Sequence, residues 1–137
     1  MRFPGRIKRD GGFWLVAIPA FDAATQGRTK REALAMAEDL IETMAGARGF
    51  RATVYPTGGE TFEIGGNRLD VLLALLFRRQ RDRQGLTLAE AAERLGQRSK
   101  NAYARYEQGR AMPTVEKVEQ LLKAIAPDQR IVWHIAT

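Results

Sequence analysis

The hydrophobic pattern divides the chain in two. Up to residue 66, short extended runs alternate with turn residues around one helical stretch; beyond it, apolar residues recur at helical spacing almost to the end. Phe3 to Lys8 reads as a first strand, closed by the turn sequence Arg9-Asp10-Gly11-Gly12. Phe13 to Ile18 is aromatic and β-branched and stops at Pro19, so the two runs predict a hairpin. A short third strand follows. Thr29-Lys30-Arg31-Glu32 reads as a capping box, in which the Thr hydroxyl accepts from the Glu32 amide while the carboxylate reaches back. The helix it opens puts Ala33, Leu34, Ala37, Leu40, Ile41 and Met44 on one stripe and Glu38, Asp39 and Glu42 elsewhere, and it ends at Gly46-Ala47-Arg48-Gly49. Phe50 to Tyr55 predicts a further strand, and Thr61 to Ile64 allows one more.

Turn residues, charge balance and periodicity all change at Gly65-Gly66-Asn67. Leu69 to Gln84 carries Leu69, Leu72, Leu73, Leu76 and Phe77 on one face, then a basic half that Gly85 ends. Thr87-Leu88-Ala89-Glu90 is a second capping box, opening a short helix to Leu95 that Gly96 stops. Ser99 caps a helix through Gln108, stopped by Gly109. Pro113-Thr114 starts a helix to Ala126 with Val115, Val118, Leu121, Leu122 and Ile125 as its stripe, and Ile131 to Ile135 reads as a terminal strand. The expected fold is α+β: a β-β-β-α-β domain over 1–64, a linker at 65–68, and an all-α domain with a short C-terminal strand over 69–137.

Composition narrows the chemistry. With 45% hydrophobic and 28% charged residues the chain has the profile of a folded domain. Zero cysteine excludes disulfides, thiol catalysis and Cys-ligated zinc, and a single His argues against a His-built metal site, so no cofactor or metal is expected. Nine basic residues meet eight acidic ones over 1–66, against thirteen and eight over 67–137. A net charge of +6 concentrated in the second half points that half toward a polyanion. Met1 to Arg6 leads into no apolar signal region, and the longest apolar run, Val71 to Phe77, is far short of a membrane span. A cytoplasmic chain with no membrane partner is expected.

The informative stretch is Gly85 to Ile125. Two short helices joined at Gly96, with small Ala91 and Ala92 permitting close approach, make a helix-turn-helix. In the second helix Tyr103 and Tyr106 face the core, leaving Lys100, Asn101, Ala102 and Arg105 outward near its start. Arg and Lys donate to guanine edges, Asn pairs with adenine, and Ala contacts a thymine methyl, so these residue types suit base reading. Thr87, Arg98, Ser99 and Arg110 flank that face as phosphate ligands. The string Gly85-Leu86-Thr87-Leu88-Ala89-Glu90-Ala91-Ala92-Glu93-Arg94-Leu95-Gly96, with Tyr106, Glu107, Gly109 and Pro113 in an aromatic-Glu-x-Gly-x-x-x-Pro pattern, resembles the Xre/Cro-type helix-turn-helix family.

The first half carries a resemblance of its own. Asp10-Gly11-Gly12-Phe13-Trp14-Leu15-Val16-Ala17-Ile18-Pro19, followed by Thr25-Gln26-Gly27-Arg28-Thr29, is similar to the N-terminal domain of HicB antitoxins. That resemblance implies a reduced RNase H-like β-β-β-α-β fold that binds and blocks a HicA-type mRNA-cleaving toxin, with Phe13, Trp14 and Phe21 as candidate contacts. It further implies a C-terminal domain that binds operator DNA as a homodimer or higher homo-oligomer and represses the shared operon. The terminal strand Ile131 to Ile135 is expected to pair with its two-fold mate.

Two other functional classes bear on the same residues. RNase H-like catalysis needs clustered carboxylates, but Asp10, Asp22, Glu60 and Glu63 fall in turns, loops or separate runs, and His134 has no nucleophile beside it; an enzyme is not expected. The alternative is a stand-alone Xre-type repressor whose first domain senses a ligand or dimerises.

Overall fold

The computed structural model describes residues 1–136. β1 (Phe3–Asp10) and β2 (Phe13–Ile18) pair antiparallel around Gly11, whose φ of +60° suits glycine. After one 3-10 turn at Pro19–Phe21, β3 (Ala23–Gly27) pairs with β2. α1 (Lys30–Ala45), β4 (Ala52–Gly58) and β5 (Thr61–Gly66) complete the domain. The five strands form one antiparallel sheet in the order β3-β2-β1-β5-β4. Ile7, Val16, Ile18, Phe62 and Ile64 are buried on the side of the sheet that α1 covers with Ala33, Ala37 and Ile41. Arg6, Lys8, Phe13, Leu15, Ala17, Ala24 and Gln26 alternate with the core positions and remain exposed on the other face.

The Thr25-x-Gly27-x-Thr29 segment is a strand-to-helix closure. A Cβ on Gly27 would lie 2.5 Å from the backbone nitrogen of Ala33, so only glycine lets the first turn of α1 rest on β3. Thr29 caps that turn, its Oγ1 accepting from Glu32 N at 3.0 Å. The reciprocal bond of the expected capping box is not formed, and Glu32 stays exposed. The two edges of the sheet are treated differently. On β4, the outward amides of Ala52 and Val54 donate to the carboxylates of Glu42 (3.0 Å) and Glu38 (2.8 Å), and Pro56 has no N–H to offer.

α2 (Leu69–Arg83) departs most from the expected amphipathic helix. Every residue from Val71 to Phe77 is buried, because the helix lies between the sheet domain and α4 and α5. Its basic half is structural: Arg79 donates to the carbonyls of Phe21 and Asp22, Gln80 to Ala20, and Arg78 to Met44. Asp22, the one non-glycine residue with positive φ among those described, lies under this clamp. Gly65 and Gly66 belong to β5, so of the expected 65–68 linker only Asn67 and Arg68 stand between elements. One continuous hydrophobic core runs from Ile7 to Ala126.

α3 (Leu88–Arg94), α4 (Lys100–Glu107) and α5 (Val115–Ile125) complete the second region. α2, α3 and α4 end in the same way, in a Schellman motif with glycine in the left-handed region: Gly85 at φ +69°, Gly96 at +72° and Gly109 at +70°. The paired closing bonds are Gly85 N to Asp82 O with Leu86 N to Arg81 O, Gly96 N to Glu93 O with Gln97 N to Ala92 O, and Gly109 N to Tyr106 O with Arg110 N to Arg105 O. Of the α5 stripe, Val118, Leu121 and Ile125 are buried and Leu122 half-buried, whereas Val115, the first residue of the helix, is 63% exposed. The expected terminal strand is absent: residues 131–136 form no regular structure and find no strand to pair with in the single chain. No helix among the described residues is long and apolar enough to cross a membrane.

Candidate nucleic-acid interface

α3, the turn after Gly96 and α4 set the geometry of the candidate interface. Thr87 caps α3 in a complete capping box: Glu90 N donates to Thr87 Oγ1 at 3.1 Å and Thr87 N donates to Glu90 Oε1 at 3.2 Å. Ser99 caps α4, accepting from Asn101 N at 3.2 Å. Both hydroxyls act as acceptors in these caps and keep an O–H to donate outward. The apolar side of the pair is closed by Ala91, Ala92, Tyr103, Ala104 and Tyr106, all buried.

What remains outward on α4 is polar. Lys100, Asn101 and Arg105 are exposed and Ala102 is half-buried. Asn101 and Arg105 are four residues apart and share one face. The Arg105 guanidinium rests 5.2 Å from the Tyr106 ring centre, which restrains a side chain that would otherwise be free. Arg98 and Ser99 lie at the N-terminal end of α4 and Arg110 just past its C-terminal end, so exposed groups bracket the helix over about 12 Å. Thr87 is exposed at the start of α3.

A buried ion pair fixes the pose of α4. Arg81 of α2 donates through Nε to both carboxylate oxygens of Glu107, at 2.8 and 3.0 Å, and through Nη1 to the Leu86 carbonyl at 2.7 Å. The Glu107 side chain is 5% exposed. Burial raises the Glu107 carboxyl above its ordinary range, with the Arg81 bonds opposing the rise, and burial pushes the neighbouring Tyr103 hydroxyl up as well. The aromatic-Glu-x-Gly-x-x-x-Pro pattern acquires a physical basis: Glu107 ties α4 to α2, Gly109 takes the left-handed turn, and Pro113 precedes the Thr114 cap of α5. Sequence reasoning assigned no role to Arg81. A carboxylate flanked by two core-facing tyrosines was the signal that a buried cation had to lie opposite it.

The three candidate toxin contacts do not share a surface. Phe13 is 43% exposed on the open face of the sheet. Trp14 points to the other face, half-buried with Lys30 Nζ 5.9 Å from its ring centre. Phe21 is fully buried, edge-on to Phe3 at 4.8 Å between ring centres and held by α2, so it is a core residue and no partner can reach it. The carboxylates that RNase H-like catalysis would need are dispersed: Asp10 ends β1, Asp22 follows the 3-10 turn, Glu60 lies between β4 and β5, and Glu63 pairs with Arg2 at 3.4 Å.

Comparison with known proteins bears on the second region. No curated protein matches the chain. Residues 72–129 match the family model of a helix-turn-helix domain, a span that starts inside α2 and ends just after Asp128, and such a domain points to DNA as the partner of this face.

Proposed function

We propose that the chain is a sequence-specific transcriptional repressor that also serves as an antitoxin. α4 enters the major groove with Lys100, Asn101, Ala102 and Arg105 on base edges, while Thr87, Arg98, Ser99 and Arg110 hold the phosphates on either side. The observation that carries this reading is the exposed polar face of α4, anchored to α2 by the Arg81–Glu107 pair, inside a segment that matches a helix-turn-helix domain. A single eight-residue helix covers only one half-site, so operator binding calls for a homodimer. The first domain would hold a HicA-type mRNA-cleaving toxin and block it, without itself being an enzyme and without a cofactor. The similarity of Asp10 to Pro19 and Thr25 to Thr29 to HicB antitoxins supports this, as does the strand-helix-strand order around α1. The site of action is the cytoplasm, on the nucleoid when DNA is bound.

Co-expression with the native flanking reading frames tests both halves. A small basic protein that co-purifies stoichiometrically at high salt, and is toxic when expressed alone, is the expected result. If the chain elutes alone yet still shifts its own upstream DNA, the toxin role fails and a stand-alone repressor replaces it.

A further inference from the structure

The sheet has two edges, and only one of them is closed. β4 spends its outward donors on Glu38 and Glu42 and carries Pro56, the devices by which a sheet avoids pairing with another chain. β3 carries none of them. Its sequence, Ala23-Ala24-Thr25-Gln26-Gly27, has no charge and no proline, and its register with β2 has no bulge. Among the described residues, nothing outside β2 hydrogen-bonds to the backbone of Ala23–Gly27. The side chains of Ala24 and Gln26 lie exposed on the open face of the sheet, in a shallow groove of about 640 Å³ shared with Leu15 and Ala17.

We infer that the β3 edge is the dimerisation surface, pairing antiparallel with β3 of a second copy to make one ten-stranded sheet across a two-fold axis. A two-fold centred on Thr25 opposes Ala24 to Gln26 of the mate and Ala23 to Gly27, so the strand is its own complement and sets no like charges opposite each other. Within the strands of the sheet, the exposed cations of the same face, Arg6 and Lys8, sit on β1, two strands in from the edge, and Arg28, exposed just past β3, falls opposite Asp22 of the mate in this register. At about 4.8 Å per strand, the two β1 strands of the dimer lie roughly 24 Å apart, well beyond the Debye length of about 8 Å at physiological salt. The same edge is mechanically tied to the reading head. Ala20, Phe21 and Asp22, the residues that lead into β3, are the ones whose carbonyls Arg79 and Gln80 of α2 hold. Pairing at β3 therefore fixes the spacing of two α4 helices, which is what a two-fold operator needs. The choice of a second copy as occupant rests in part on the DNA-reading proposal above.

Sedimentation equilibrium of the full chain without DNA, from about 1 to 100 μM, decides the matter apart from any DNA binding. The wild type should show a monomer–dimer equilibrium in this range. Ala24→Lys with Gln26→Lys places two like-charge pairs across the axis and should weaken the dimer roughly tenfold. Ala24→Lys with Gln26→Glu makes those pairs complementary and should restore it. Far-UV circular dichroism and affinity for a single half-site duplex, which needs no dimer, should stay unchanged in both variants. A wild type that is monomeric at 100 μM overturns the inference. So does a dimer indifferent to the double lysine but abolished by removing residues 129–137, which would assign dimerisation to the C-terminal segment. Loss of half-site binding with an intact β3 dimer would instead count against the DNA-reading proposal alone.

Discussion

Replacing Glu107 with alanine should be among the most damaging single changes to this fold. The substitution leaves the Arg81 guanidinium, whose side chain is 15% exposed, without the carboxylate that its Nε–H shares between two oxygens. Breaking a buried ion pair from one side typically costs about 3–5 kcal/mol. Arg81 keeps its bond to the Leu86 carbonyl at 2.7 Å and a 3.5 Å contact with Asp82, so the lower end, about 3 kcal/mol, is expected. Measured against a total stability of about 5–15 kcal/mol, that is a large fraction. Urea unfolding followed by far-UV circular dichroism reads it directly. Replacing both partners by apolar residues, Arg81→Met with Glu107→Leu, should lose less than the sum of the two single changes, since no charge is then left stranded. A Glu107→Ala variant within about 1 kcal/mol of wild type, or strictly additive single changes, would refute the view that this pair anchors α4.

The other expectations concern separate parts of the molecule. Arg105→Ala should weaken operator binding by about 1–3 kcal/mol and relax preference at one base position; equal losses on operator and random duplex in a titration would remove it from the readers. Arg98→Ala and Arg110→Ala should instead weaken binding to all duplexes and each lower the slope of log K against log salt by about 1. Gly27→Ala forces a Cβ against the backbone of Ala33 and should destabilise by about 1–3 kcal/mol in chemical unfolding, whereas Gly12→Ala, with open space around the new Cβ, serves as the near-neutral control. Hydrogen bonds from Arg83 hold the Asp128 carboxyl down at about 2, against an ordinary value of 3.8. A depressed carboxyl stabilises the fold above its ordinary range and loses that contribution as pH falls through about 2, so the melting temperatures of wild type and Asp128→Asn should differ at pH 6, approach each other below pH 4 and converge only below pH 2.

The residues that announced themselves in the sequence were those that act locally. Thr29, Thr87, Ser99 and Thr114 each cap the helix they precede, and Gly85, Gly96 and Gly109 end theirs, because caps and left-handed turns are decided within five or six residues. The exposed face of α4 was legible for the same reason, once Tyr103 and Tyr106 marked its buried side. What local pattern could not supply was the surroundings of α2. Arg78, Arg79 and Gln80 look like a solvated basic face, yet their partners are carbonyls some 34 to 60 residues away in the chain. The same gap hides the burial of Phe21, a candidate toxin contact by resemblance: nothing local to Pro19-Ala20-Phe21 tells that a distant helix lies across it. The terminal segment is a different case: a run of apolar residues with β propensity needs a neighbouring strand, the single chain offers none there, and the expected pairing of Ile131 to Ile135 with a two-fold mate concerns an assembly of two copies.

The burial of α2 on both sides has a thermodynamic corollary. Although the chain reads as two modules, it should melt as one: a cut at Asn67 would leave the second module with the sheet-facing side of Val71 to Phe77 exposed to water, and the first with its Ala20 to Asp22 carbonyls stripped of their donors. A single calorimetric transition is the signature. The corollary extends to control. With no hinge between sheet and reading helix, the proposed toxin, seated on the first module, would have no means of swivelling the second; any effect on DNA occupancy would have to come from steric blocking or from gathering copies together.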